Sequence, residues 1–395
     1  MERVPKSQED IGVESSTLGT FMLSLDDPIM EEGEQSEDTS TGERSVFAPS
    51  SIPPRPFREP ATSKYAPLPW EGHFDQEQNI TIPATGEVFH VYVAGSQGPV
   101  VFCLHGGGYS GLSFALAAGK MKDKVRVVAM DMRGHGQTRT NNDADLSAET
   151  LCSDVVSVIN TMFSQAPPAI ILIGHSMGGA IAVRVAAQRV LATLAGVVVV
   201  DVVEGTAMAS LMHMQKILSS RQMHFQSPDQ AIIWSVKGGG ALRNIESARI
   251  SVPSTLMFDN EKQCYVWRTP LQDSEAYWRG WYEGLSEAFL SCPVAKLLLL
   301  AGTDRLDRSL TIGQMQGKFQ MIVVRHSGHA IQEDEPDEFT AAVLSFIARN
   351  RIGTYGMEFM YCSQSDCDPR KVVEPPSHTF SVDARDSLLI FWSPP

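Results

Sequence analysis

Short apolar runs recur through the middle of the chain, at 88–94, 100–104, 125–130, 169–173, 196–200, 296–300 and 320–324. Runs of this length, rich in valine, isoleucine and leucine and without polar alternation, predict strands buried on both faces. Helical periodicity separates several of them. Ser147 is placed to cap a helix whose Leu151, Val155, Val158, Ile159 and Met162 share one face. Pro336 occupies a first-turn position ahead of Phe339, Val343, Phe346 and Ile347. Strands alternating with helices predict an α/β fold with a mainly parallel central sheet flanked by helices, and binding groups at the carboxyl ends of the strands. Between residues 205 and 290 the strand rhythm stops, and helical stretches at 207–218 and 275–289 predict a helical cap insertion. Trp267, Tyr277, Trp278, Trp281 and Tyr282 concentrate there, either to line a substrate groove or to form the core of the cap itself.

The run 169–173 leads directly into Gly174-His175-Ser176-Met177-Gly178, and an amphipathic stretch with Ile181, Val183, Val185 and Ala186 follows. Glycines two residues either side of a serine, between a strand and a helix, define a nucleophile elbow of the α/β-hydrolase type. The turn is tight, so glycines clear space while the serine hydroxyl stands at the mouth of the sheet. The new helix adds free amides and a positive dipole end where an oxyanion would form. Upstream, His105-Gly106-Gly107-Gly108-Tyr109 follows the run 100–104. The amide of Gly107 or Gly108 is expected to join that of Met177 as an oxyanion hole.

Ser176 needs a base, because a serine hydroxyl is weakly nucleophilic at neutral pH. His329, in Ser327-Gly328-His329-Ala330, sits after the last apolar run and before the last helix, where the chain order Ser, acid, His requires it. His326 is the nearby rival. For the acid, Asp201 follows one strand and Asp304 follows the next, and both satisfy the order. Spacing alone leaves that choice open.

Composition narrows the class. The 395 residues are 43% hydrophobic and 20% charged, enough for a large core. No apolar run reaches the ~18 residues that cross a bilayer, and the start shows no signal-peptide region, so the expectation is an intracellular protein, cytoplasmic or nuclear, with no membrane partner. A net charge of −14 argues against a nucleic-acid surface, which needs clustered Lys and Arg. Much of that acidity lies in a Ser/Thr/Pro-rich leader, residues 1–64, expected to be disordered. The hydrolase domain is expected over 65–352, and 353–395 reads as a flexible tail. Six scattered cysteines, Cys103, Cys152, Cys264, Cys292, Cys362 and Cys367, read as reduced packing thiols.

Beyond the generic motifs, Gly174-His175-Ser176-Met177-Gly178-Gly179-Ala180-Ile181-Ala182-Val183 and Asp201-Val202-Val203-Glu204-Gly205-Thr206-Ala207-Met208 resemble the protein phosphatase methylesterase family. So do Leu297-Leu298-Leu299-Leu300-Ala301-Gly302-Thr303-Asp304-Arg305-Leu306-Asp307 and Leu310-Thr311-Ile312-Gly313-Gln314-Met315-Gln316-Gly317-Lys318-Phe319-Gln320-Met321. The similarity covers roughly residues 65–351. It implies an α/β-hydrolase that removes the methyl ester from the C-terminal leucine of the protein phosphatase 2A catalytic subunit, with that subunit as substrate and partner. It also implies Ser176 as nucleophile, Asp201 as acid and His329 as base, leaving Asp304 a structural or substrate-facing role. This chemistry requires no metal or organic cofactor. The alternatives are a small-molecule carboxylesterase of the same fold and a largely non-catalytic phosphatase-binding regulator.

Overall fold

The computed structural model describes residues 64–353 apart from 166, 239–241 and 303–305. The expected leader up to residue 63, the tail from residue 354, Cys362, Cys367 and the alternative acid Asp304 lie outside the described residues.

The strands are β1 (Gln76–Thr81), β2 (Val88–Ala94), β3 (Val100–Leu104), β4 (Arg126–Met130), β5 (Ile170–His175), β6 (Leu194–Val200), β7 (His224–Phe225), β8 (Leu256–Asp259), β9 (Cys264–Trp267), β10 (Ala295–Leu300) and β11 (Gln320–Val323). Eight of them form one sheet in the order β1-β2-β4-β3-β5-β6-β10-β11. The first two pairings, β1 with β2 and β2 with β4, are antiparallel, and the others are parallel. This is the expected α/β-hydrolase architecture, with the order reversing around β3 so that β3 and β5 lie side by side.

The apolar runs are continuous because each strand feeds two cores. Val100, Phe102 and Leu104 of β3, with Ile170 and Leu172 of β5, pack on one face of the sheet, while Val101, Cys103, Ile171 and Ile173 pack on the other. The described helices are α1 (Ala115–Met121), α2 (Ala148–Met162), α3 (Met177–Gln188), α4 (Glu204–Ser219), α5 (Pro228–Lys237), α6 (Ile245–Ser251), α7 (Glu275–Tyr282), α8 (Leu285–Ser291), α9 (Arg308–Met315), α10 (Ile331–Asp334) and α11 (Pro336–Arg349). Residues of α2, α3, α7 and α8 cover the first face, and residues of α1 and α11 cover the second. Ser147 caps α2 by accepting from the Thr150 amide, and Pro336 opens α11. Cys103, Cys152, Cys264 and Cys292 are buried free thiols.

The insertion between β6 and β10 differs from its expected all-helical form. It contains α4 to α8 and also a small antiparallel sheet in the order β7-β9-β8. The stretch expected as one helix over 275–289 is two, because Gly284 adopts φ 75° and breaks it. The insertion has its own core of Phe225, Ala231, Ile232, Leu242, Ala248 and Val252. Trp278, Trp281 and Tyr282 are not part of it. They pack into the main core above α3, so the aromatic cluster ties the cap to the hydrolase body. The Trp281 indole N–H donates to the Leu146 carbonyl at 2.7 Å, a second such tie.

Candidate active site

Strand β5 ends at His175, α3 begins at Met177, and Ser176 between them holds φ 51° and ψ −118°. A non-glycine residue in that region costs on the order of 1–3 kcal/mol and persists only where its surroundings over-determine it. Here they do. The Ser176 amide donates to Val200 O at 3.0 Å, which pins the elbow to the end of β6. A Cβ on Gly178 would collide with the carbonyls of Leu104 and His105, and one on Gly174 with the Gly178 carbonyl. The elbow can form only because both positions are glycine.

Asp201 begins one residue beyond β6, is buried, and also holds a positive φ of 51°. Its amide donates to Leu299 O at 2.8 Å, and its Oδ1 accepts from the Ala301 amide at 2.9 Å. The other oxygen, Oδ2, accepts from His329 Nδ1 at 2.8 Å. His329 lies in the loop after β11, where the Gly328 amide donates to Asp334 Oδ2 at 2.7 Å. Ser176, Asp201 and His329 all line one cavity of about 500 Å³. His326, the rival base, is exposed and absent from that lining.

His175 supports this arrangement from below. Its Nε2–H donates to the His329 carbonyl at 2.9 Å, and its ring lies 4.7 Å from the His329 ring and 5.1 Å from that of Tyr109. Burial, followed by the neighbouring His329, pushes its pKa down to about 3, so the ring is neutral. Its Nδ1 is buried without a protein partner among the described residues.

The glycine loop is braced by two further neutral imidazoles. His105 Nδ1–H donates to Gly106 O at 2.8 Å while its Nε2 accepts from the Met132 amide at 3.0 Å. His135 Nδ1–H donates to Arg133 O at 2.7 Å while its Nε2 accepts from the Gly108 amide at 3.0 Å. Both rings are fully buried, and desolvation pulls His105 well below the usual range and His135 down to about 4. The expectation of Gly107 or Gly108 as an oxyanion donor is therefore narrowed. The Gly108 amide is engaged by His135, whereas the amides of Gly107 and Met177 have no protein partner among the described residues.

The remaining lining is largely apolar and comes from the insertion. Trp267, Trp278, Trp281 and Tyr282 all face the cavity, while Tyr277 packs beside the core instead. The Tyr282 hydroxyl faces the Ser176 side chain; burial raises its pKa to about 12 and the serine opposes that rise, so the phenol stays protonated. Spacing did not reveal His135 or Arg221, another cavity residue. His135 follows the run 125–130, a strand-end position that was the one available signal. Among the described residues no helix is long and apolar enough to cross a membrane.

A strained serine at a strand-to-helix turn, beside a carboxylate-bound imidazole on one cavity wall, belongs to the class of α/β-hydrolases. The sequence model of the alpha/beta hydrolase family matches residues 100–342. Among solved structures, E-2-(acetamidomethylene)succinate hydrolase superposes with a TM-score of 0.58 at 19% identity, covering 69% of this chain and 99% of that one. A marine microorganism esterase gives a TM-score of 0.52 at 21% identity, covering 65% and 98%. Those likenesses carry the fold. Protein phosphatase methylesterase 1 of Mus musculus is 43% identical over 352 residues, 75% of this chain and 90% of its own length. The probable protein phosphatase methylesterase 1 of Caenorhabditis elegans is 44% identical over 307 residues, covering 75% and 83%. The chain belongs to the protein phosphatase methylesterase family, and it is a carboxylic ester hydrolase.

Proposed function

We propose that the chain removes the methyl ester from the C-terminal leucine of the protein phosphatase 2A catalytic subunit, through a Ser176-His329-Asp201 triad. The observation that carries the chemistry is the 2.8 Å contact of His329 Nδ1 with Asp201 Oδ2 on the wall that also holds Ser176. Asp201 holds the imidazole in the tautomer whose Nδ1 carries the proton, which leaves the Nε2 lone pair to act as base.

In this reading Ser176 Oγ attacks the ester carbonyl while His329 Nε2 takes its proton. The oxyanion rests on the amides of Gly107 and Met177, each worth about 10²- to 10³-fold in rate. The tetrahedral intermediate collapses, the carbon–oxygen bond to the methoxy group breaks, and methanol leaves with the proton from His329. A water molecule then gives its proton to the same imidazole, attacks the acyl-enzyme, and releases the free carboxylate with regeneration of Ser176.

The substrate reading is supported by the names of the relatives, which specify a protein phosphatase, and by the family resemblance of the sequence, which implies the 2A catalytic subunit and its C-terminal leucine; the aromatic cavity wall offers an apolar surface for such a residue. The test against a small-molecule esterase is a comparison of kcat/KM on carboxymethylated phosphatase and on short soluble esters such as p-nitrophenyl acetate. Preference for the phosphatase supports the reading; preference for the short ester overturns it.

A further inference from the structure

Arg221 lies just beyond α4 and lines the same cavity. Its guanidinium carbon sits 4.3 Å from the centroid of the Trp267 ring and 5.7 Å from that of Trp234. The Trp267 indole N–H is itself fixed to Gln222 O at 2.8 Å, so the platform beneath the arginine is anchored. On the other side, a Cβ built on Gly108 would lie 3.9 Å from Arg221 Nη1. The guanidinium therefore stands directly against the loop that carries the Gly107 amide.

Among the described residues no carboxylate lies within ion-pair distance of Arg221 and its side chain makes no hydrogen bond; the tyrosine Tyr109 is its electrostatic neighbour. Partial burial pulls its pKa down, yet an arginine stays charged at any physiological pH. The other arginine of the lining, Arg243, differs: it donates to His326 O at 2.8 Å and has Asp334 beside it. Asp201 is the carboxylate of the described lining, and its oxygens are engaged by His329 and the Ala301 amide. In a chain of net charge −14, this wall of the cavity is locally cationic.

A desolvated cation without a partner is costly, and a stacked guanidinium keeps its edge donors oriented for a bidentate anion. The methyl ester that reaches Ser176 is neutral and cannot be that anion. We infer that Arg221 is a specificity residue that binds an acidic side chain on the acyl side of the substrate, so that the enzyme selects a C-terminal methyl ester carried on an acidic peptide tail. This rests on the esterase reading above and adds the chemistry of the substrate beyond its terminal residue.

The test uses short peptides ending in leucine methyl ester, with aspartate or asparagine at each of the three positions before the leucine. Wild type, Arg221→Met and Arg221→Lys are compared by kcat/KM, and the readout is the aspartate-to-asparagine ratio. A charge-assisted pair predicts a wild-type ratio of about 10- to 100-fold at one position. Arg221→Met collapses that ratio toward one, mainly through KM, and Arg221→Lys holds an intermediate value. A merely structural arginine would lower both rates together and leave the ratio intact, which overturns the inference, as does a wild-type ratio near one at all three positions. Failure of wild type to cleave any of the peptides while it still turns over p-nitrophenyl acetate overturns the peptide esterase reading itself, a separate and distinguishable result.

Discussion

The Nε2–H of His175 donates to the main-chain carbonyl of His329 at 2.9 Å, so the residue preceding the elbow serine fixes the loop that carries the proposed base. Replacing it with alanine removes that donor and opens space beneath His329. A misplacement of about 1 Å in such a unit costs on the order of 10²-fold in rate. His175→Ala is expected to lose activity by that order through kcat, with His175→Gln, which keeps a donor, recovering part of it. Steady-state kinetics on a small ester, with melting temperatures for both variants, checks this.

Four buried groups contribute to the pH dependence of stability in two opposite senses. His175 and His135 are held at about 3 and about 4 by burial, and His105 is well below the usual range. An unfolded imidazole takes up a proton below about pH 6.5 whereas these do not, so the unfolded state binds more protons and stability falls as pH drops below that value. Glu333 works in the opposite sense. Burial raises it to about 8 despite hydrogen bonds from Ser247 and Ser251, so the folded state binds its proton more tightly and stability falls as pH rises through 8. Urea midpoints measured across this range should peak near pH 6.5. Glu333→Gln should flatten the alkaline limb and leave the acid limb in place.

Asp201 and Asp304 make different predictions. Exchanging Asp201 for asparagine keeps the size of the side chain but favours the wrong tautomer of His329, a change worth about 10⁴-fold in kcat for such a triad. Asp304→Asn should leave most of the turnover. If Asp304→Asn alone abolishes hydrolysis, the acid has been wrongly assigned.

The glycines of the site separate into structural and permissive positions. Gly178→Ala drives a methyl group into the Leu104 and His105 carbonyls, and overpacking of this kind costs about 1–3 kcal/mol or more. A Cβ on Gly107 meets Leu271 Cδ2 first, at 3.4 Å, an ordinary contact. Denaturant midpoints should therefore fall for Gly178→Ala and change little for Gly107→Ala.

How far the sequence could be read depended on burial and on distance along the chain. The strands β2 to β6 and β10 were legible because both their faces are covered, which makes each run uninterrupted, and β11, half-buried at the sheet edge, was legible from its apolar Met321-Ile322-Val323. The edge strand β1, Gln-Glu-Gln-Asn-Ile-Thr, was not, since its residues are mostly polar and largely exposed. In the insertion, β7 has two residues and β8 and β9 four each, too short for any periodicity to register. Ser176 and His329 were visible from their places in an ordered series of strand ends and following loops, whereas spacing left Asp201 and Asp304 open and only the family resemblance pointed to Asp201. His135 and Arg221 were not. Their significance comes from partners distant in the chain, Gly108 for His135, 27 residues away, and the Trp267 ring for Arg221. Arg221 also sits in Ser219-Ser220-Arg221-Gln222, a stretch with the composition of any solvated surface.

The most direct test of the central claim is to incubate wild type and Ser176→Ala with carboxymethylated protein phosphatase 2A and follow loss of the terminal methyl ester. Removing the nucleophile of such a unit costs on the order of a millionfold in kcat. The expected result is loss of the ester with wild type alone, while the Ser176→Ala protein remains folded. Loss with both proteins would contradict Ser176 as nucleophile, and loss with neither would contradict the methylesterase reading.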